Sequence, residues 1–156
     1  MIAVRNARSE DIPFVYKTEI ECFHDPWSEK SLNDLLESEN ACFLCAAAVN
    51  DDGTEELIGY GSFYYTLDEA FINNIAVSPL HRRCGAGSAV VKGLISEARK
   101  RNITAVHLEV RESNTPAIGL YSSLGFSVMG TRKNFYPPYG DMPRENALLM
   151  SIFLTE

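Results

Sequence analysis

His81-Arg82-Arg83-Cys84-Gly85-Ala86-Gly87-Ser88 follows the apolar run Phe71-Ile72-Asn73-Asn74-Ile75-Ala76-Val77 and precedes a segment of helical period. It therefore reads as the turn from a strand into a helix N-terminus. Gly85 and Gly87 let the backbone approach a ligand closely, and the amides that open the helix point outward, where the helix dipole favours anions. Arg82 and Arg83 add fixed positive charge in an otherwise acidic chain. Two glycines before a helix also make ordinary tight turns, but the arginine pair and the apolar strand favour a phosphate site. A dinucleotide fingerprint would use Glu109, at the end of the next strand, to hold a ribose; Val90 occupies its third glycine position and no second βαβ half follows. A P-loop is excluded because no Gly-Lys-Ser/Thr closes the turn.

Downstream, Val90, Val91, Leu94, Ile95 and Ala98 share one face of a helix running from Gly85 to Arg101, and Ala105 to Val110 reads as a strand. Strand, helix and strand of this length form a crossover, so the two strands are expected to be parallel, with the phosphate loop at the carboxyl end of the first. Upstream, strands are expected at Cys42 to Val49, Leu57 to Thr66 and Ala70 to Val77, joined by short polar connections into an antiparallel meander. Gly59 and Gly61 mark a bulge or a close approach in the middle strand. Ile2 to Ala7 reads as a first strand. Ser9 is the expected N-cap of a helix with the apolar stripe Ile12, Tyr16, Ile20 and Phe23, and Ser28 caps a second helix with Leu32, Leu35 and Leu36. Trp27, between these helices, reads as a packing anchor.

Beyond the crossover, Ser113 or Asn114 caps a short helix whose stripe is Ala117, Leu120, Tyr121 and Leu124, and Gly125 ends it. Two closing strands, about Phe126 to Asn134 and Asn146 to Leu154, flank the loop Phe135 to Pro143. Tyrosines between prolines make that loop a stiff surface suited to gripping a substrate peptide.

At 156 residues and 46% hydrophobic the chain is expected to be one domain, residues 1–156, with a sizeable core. Its net charge of -7 argues against direct nucleic-acid binding, although an acidic enzyme can still meet a basic peptide. Ala41 to Val49 is too short to span a bilayer, and the N-terminus carries charge where a signal peptide needs an apolar core. No membrane association and a cytoplasmic location are expected. Cys42 and Cys45, three apart on a strand, face opposite sides and read as buried hydrophobes rather than a redox pair; Cys22 reads the same way, and Cys84 alone lies in the ligand loop. His24, His81 and His107 are scattered without metal spacing, so no metal is expected.

Taken together, Arg82-Arg83-Cys84-Gly85-Ala86-Gly87, the run Leu108-Glu109-Val110-Arg111-Glu112-Ser113-Asn114 through Leu120-Tyr121 and Leu124-Gly125-Phe126, and the order of elements resemble the GCN5-related N-acetyltransferases over essentially the whole chain. Asn74-Ile75-Ala76-Val77, Leu108-Glu109-Val110-Arg111 and Asn134-Phe135-Tyr136-Pro137 are similar to the branch that acetylates the N-terminal alanine of a ribosomal protein. The resemblance implies an α/β (α+β) fold with a central mixed, mostly antiparallel sheet of about seven strands, flanking helices and a parallel strand pair at the cofactor site. It implies acetyl-CoA as cosubstrate, with backbone groups of Ile75, Ala76 and Val77 along the acetyl and pantetheine portion. Arg83, Cys84, Gly85, Ala86, Gly87 and Ser88 would hold the pyrophosphate, and Asn114 the pantetheine arm. Glu109 would be the proton acceptor and Tyr121 the proton donor. Cys84 and Ser88 depart from the family's commoner polar or basic residues, which leaves phosphate binding to the backbone.

The residues themselves suit that chemistry. An amine attacks only when neutral, and an α-amine, with a pKa of about 7.7–8.0, is about 3.4 kcal/mol easier to deprotonate than lysine at about 10.4. Glu109 could take the proton directly or through water, the Val77 N–H could face the developing oxyanion, and Tyr121 could protonate the leaving sulfur. No Gly-x-Ser-x-Gly elbow or cysteine–histidine pair suggests a covalent acyl-enzyme. The partner expected is the N-terminal peptide of a small-subunit ribosomal protein. Two alternatives remain: the same chemistry on a lysine or small polyamine, and a non-catalytic acetyl-CoA-binding module.

Overall fold

A computed structural model describes residues 1–154. Among the described residues, seven strands form one mixed sheet in the order β1-β2-β3-β4-β5-β7-β6, with β1 Ile2–Asn6, β2 Ala41–Val49, β3 Glu55–Thr66, β4 Glu69–Val77, β5 Ala105–Arg111, β6 Ser127–Tyr136 and β7 Glu145–Phe153. Every pairing is antiparallel except β4 with β5. The helices are α1 Ile12–Cys22, α2 Glu29–Glu37, α3 Ala86–Lys100 and α4 Thr115–Ser123. No helix among the described residues is long and apolar enough to cross a membrane.

Strands β2 and β3 are covered on both faces, and their alternation sorts side chains into two cores. Cys42, Leu44 and Ala46 of β2 join Phe63, Val90, Val91, Leu94, Val106, Leu108 and Met150 on the face covered by α3 and α4. Phe43 and Cys45 join Ile12, Val15, Leu32, Leu35 and Tyr60 beneath α1 and α2. The two cysteines therefore lie on opposite faces, and burial pushes their thiols up to about 11 and about 12, respectively. Gly61 lets α3 settle on the sheet: a Cβ there would stand 2.6 Å from Val90 Cγ1. The meander and the crossover helix form as the sequence implies, and Trp27 packs against the second core.

The first helix departs from the sequence expectation. Ser9 begins a short 3-10 turn instead of capping α1, and the Asp11 carboxylate accepts from the Arg8 amide at 2.8 Å. Arg5 holds that carboxylate with two nitrogens and also reaches Glu55, joining β1, the start of α1 and β3. The buried face of α1 is Ile12, Val15, Thr18 and Glu19, whereas Ile20 is 54% exposed. A carboxylate displaces Ile20 from the interior because several donors await it there. The chain also reaches the sheet edge as β6 before β7 returns between β5 and β6.

Candidate active site

The parallel strands stay together only briefly. Glu69–Phe71 pair with Ala105–His107, and beyond those positions β4 and β5 diverge. β4 carries one extra residue where its register with β3 shifts, between the pairs Gly61–Ile75 and Phe63–Ile72, and such a bulge bends and twists its strand. Ser78 N donates to Ile58 O at 2.8 Å. Because an antiparallel ladder alternates, the next pair, Val77 with Gly59, turns its main-chain groups away from β3, as does Ile75 opposite Gly61. Ile75 and Val77 thus present amides and carbonyls to the opened gap, while those of the buried Ala76 turn toward Tyr60.

At the mouth of the gap, Arg83 and Gly85 adopt left-handed φ values of 64° and 89°. Gly85 precedes the first turn of α3, and a Cβ built on it would meet nothing within 4 Å. The glycine is therefore required by conformation, and the space above it is open to a ligand. Ala89 N makes the first helical bond, to Gly85 O at 3.0 Å, so the amides of Ala86, Gly87 and Ser88 precede the helical ladder and remain for an anion. Cys84 turns its thiol onto the His81 carbonyl at 2.7 Å, and Arg82 reaches Cys22 Sγ at 3.3 Å. Arg82 therefore ties the loop to α1.

Glu109 and Tyr121 lie on opposite faces of the sheet. Leu108 and Val110 point into the α3–α4 core, so Glu109 between them faces the other side, 3.5 Å from Arg132 Nε. Tyr121 is buried in the α3–α4 core, its ring 5.8 Å from that of Phe126. Burial, reinforced by Tyr136, pushes its phenol up to about 12. Asn114 is the N-cap of α4, its side chain accepting from Ala117 N at 3.3 Å.

A model of the acetyltransferase (GNAT) family matches residues 12–126. The chain belongs to that family. It is 37% identical over 155 residues to a putative [ribosomal protein bS18]-alanine N-acetyltransferase of Bacillus subtilis, covering 99% of this chain and 97% of the relative. It is 34% identical over 152 residues to the [ribosomal protein bS18]-alanine N-acetyltransferase of Escherichia coli, covering 97% of each. The crystal structure of the ribosomal-protein-S18-alanine N-acetyltransferase from Escherichia coli superposes with a TM-score of 0.85 at 33% identity, covering 100% of this chain and 96% of that one.

GNAT enzymes take their acetyl group from acetyl-CoA. The features of this chain fit such a donor: a strand gap lined with unladdered main-chain groups, and amides at a helix N-terminus beside a glycine held at a left-handed φ. Sequence reasoning read Tyr136 only as part of the peptide-gripping loop and missed Glu19. Tyr136 feels the charge of Glu109 and in turn raises Tyr121, so it stands near both; the Arg111 guanidinium lies 4.2 Å from its ring centre. Glu19 is fully buried beneath β3 and β4. Its signal was a carboxylate within the spacing Ile12, Val15, Glu19, Cys22, a helical stripe whose other members are apolar. The Phe135–Pro143 loop reaches the α1–α2 connection, where His24 and Tyr139 stack with ring centres 3.8 Å apart.

Proposed function

We propose that this enzyme acetylates the α-amine of the N-terminal alanine of ribosomal protein bS18 in the cytoplasm, working as a single domain. The observation that carries this reading is the opened β4–β5 gap, with Glu109 on its α1–α2 side and Tyr121 on its α3–α4 side. The names of relatives matched over nearly the whole chain support the acceptor.

Acetyl-CoA supplies an acetyl thioester. Ile75 and Val77 hold its amide-bearing arm through main-chain groups, Asn114 contacts that arm, and the Arg83–Ser88 amides bind the pyrophosphate. The Val77 N–H faces the acetyl oxygen where negative charge develops. Glu109 receives the proton of the incoming amine, directly or through water, and Tyr121 delivers one to the departing sulfur. The Arg132 guanidinium lies beside that base, with Nε 3.5 Å from Glu109 Oε1. An α-amine is matched to so simple a base, being about 3.4 kcal/mol easier to deprotonate than lysine.

The test is mass spectrometry of an N-terminal bS18 peptide incubated with enzyme and acetyl-CoA. A gain of about 42 Da at the α-amine supports the reading, since only the neutral amine accepts the group. Modification confined to a lysine side chain or to an added polyamine would replace the acceptor, and no transfer at all would leave a binding module. Glu109→Gln is expected to slow transfer by about ten- to ten-thousand-fold with little change in acetyl-CoA affinity.

A further inference from the structure

We propose that Glu19 is a positioning residue for the acceptor, a buried carboxylate that clamps the α1–α2 connection to the bulge of β4. The inference rests on the acetyl-transfer reading above.

Glu19 is 0% exposed. One oxygen accepts from Trp27 N at 2.8 Å and Asn74 Nδ2 at 3.0 Å; the other accepts from Tyr60 Oη and from the same amide at 3.1 Å. Burial raises the carboxyl above its ordinary range, opposed by the Trp27, Tyr60 and Asn74 bonds. None of the ion pairs among the described residues includes it. A buried carboxylate without a cation is costly, and an apolar residue packed in its place commonly serves stability as well or better. What a hydrocarbon could not do is hold three separate segments at fixed distances.

Those segments are placed at the acceptor side. Trp27 belongs to the connection whose His24 stacks on Tyr139. Asn74 lies at the β4 bulge, next to Ile75, and Tyr60 lies opposite Ala76. A cavity of about 10 Å³ remains between Glu19, Trp27, Asn73 and Asn74, so there is little slack for the connection to slide. The pyrophosphate cradle makes none of these bonds. Loosening the clamp therefore misplaces the wall of the acceptor site while leaving the pyrophosphate cradle, which holds the charged part of the donor, as it was, and small misplacements cost much in a reaction that depends on approach geometry.

The experiment compares the parent, Glu19→Gln, Tyr60→Phe and the exchange Glu19→Gln with Asn74→Asp. Glutamine turns an amide toward donors, whereas the exchange again pairs an amide with a carboxylate across the same contact. Glu19→Gln is expected to raise the KM for the bS18 peptide by at least about tenfold, with acetyl-CoA affinity within about twofold of the parent. Tyr60→Phe should give a smaller rise, and the exchange should recover most of the peptide KM. Unchanged peptide KM in Glu19→Gln overturns the proposal. So does a parallel loss of peptide and acetyl-CoA binding that tracks the melting temperature, which is what a purely structural residue would produce. If Glu19→Gln does not fold, an unaltered peptide KM in Tyr60→Phe or an unrecovered one in a folded exchange variant has the same force. An inactive parent counts against the acetyl-transfer reading instead.

Discussion

Tyr121→Phe separates proton donation from packing. The ring stays in the α3–α4 core and keeps its 5.8 Å contact with Phe126. No hydrogen bond to its hydroxyl occurs among the described residues, so the variant should unfold within about 0.5 kcal/mol of the parent. Turnover should fall by about ten- to ten-thousand-fold, equivalent to about 1.4–5.5 kcal/mol in the barrier. The pH dependence follows from the phenol being pushed up to about 12. At pH 9 such a group is ionised in only about one molecule in a thousand, so the acid stays loaded across the alkaline range. The parent's rate should rise as the acceptor amine loses its proton near pH 8 and then remain level to about pH 11. Steady-state rates with saturating acetyl-CoA and bS18 peptide, set beside urea unfolding of both proteins, provide the measurement. Turnover of Tyr121→Phe within about threefold of the parent would refute the assignment, and a fall in the parent's kcat between about pH 8 and 10 would show that a different acid is at work.

Three other outcomes are expected. Gly85→Ala forces a side chain into φ 89°, costing about 1–2 kcal/mol in urea unfolding and weakening acetyl-CoA in calorimetric titration, while bS18 peptide added to saturated enzyme is used normally. Arg5→Ala strands the Asp11 carboxylate, which is 4% exposed, and should cost about 3 kcal/mol; burial alone would raise Asp11, but the Arg5 bond and the Arg8 amide together hold it below its ordinary value. Its folded pKa is thus the lower one, so its contribution is complete above the unfolded value of about 3.9 and lost as pH falls through the folded value; melting temperatures from pH 7 down to 3 should drop more steeply for the parent than for Arg5→Ala. Gly61→Ala should cost about 1–3 kcal/mol because its Cβ meets Val90 Cγ1 at 2.6 Å, and thermal melts should show that Val90→Ala recovers part of that loss.

Much of the fold was legible because local and global preferences agree. In α3 the positions Val90, Val91, Leu94 and Ala98 match a helical face that is buried as read, and the short turns between β2, β3 and β4 leave an antiparallel meander as the simple connection. The cap of α2 was equally plain, Ser28 accepting from Ser31 N, and of the two candidates for α4 it is Asn114 that accepts, from Ala117 N. On α1 the sequence misleads. Tyr16, Ile20 and Phe23 have apolar side chains at helical spacing, yet the interior face takes Thr18 and Glu19. The stripe Ile12, Val15, Glu19 and Cys22 marks the rival face, but hydrophobicity alone does not choose it, because the Trp27 amide, Tyr60 and Asn74 that make a carboxylate welcome there are 8, 41 and 55 positions away.

The chain by itself determined the strand–loop–helix at residues 71–101, the acceptor and donor candidates Glu109 and Tyr121, and the family they resemble, because each is a contiguous pattern set by backbone sterics and side-chain period. Tertiary structure alone decided that β4 and β5 part after three paired positions, that β7 inserts between β5 and β6, and that Glu109 and Tyr121 lie on opposite faces. Those outcomes depend on a bulge and on contacts between residues far apart in sequence, whose free energy exists only once the sheet has assembled.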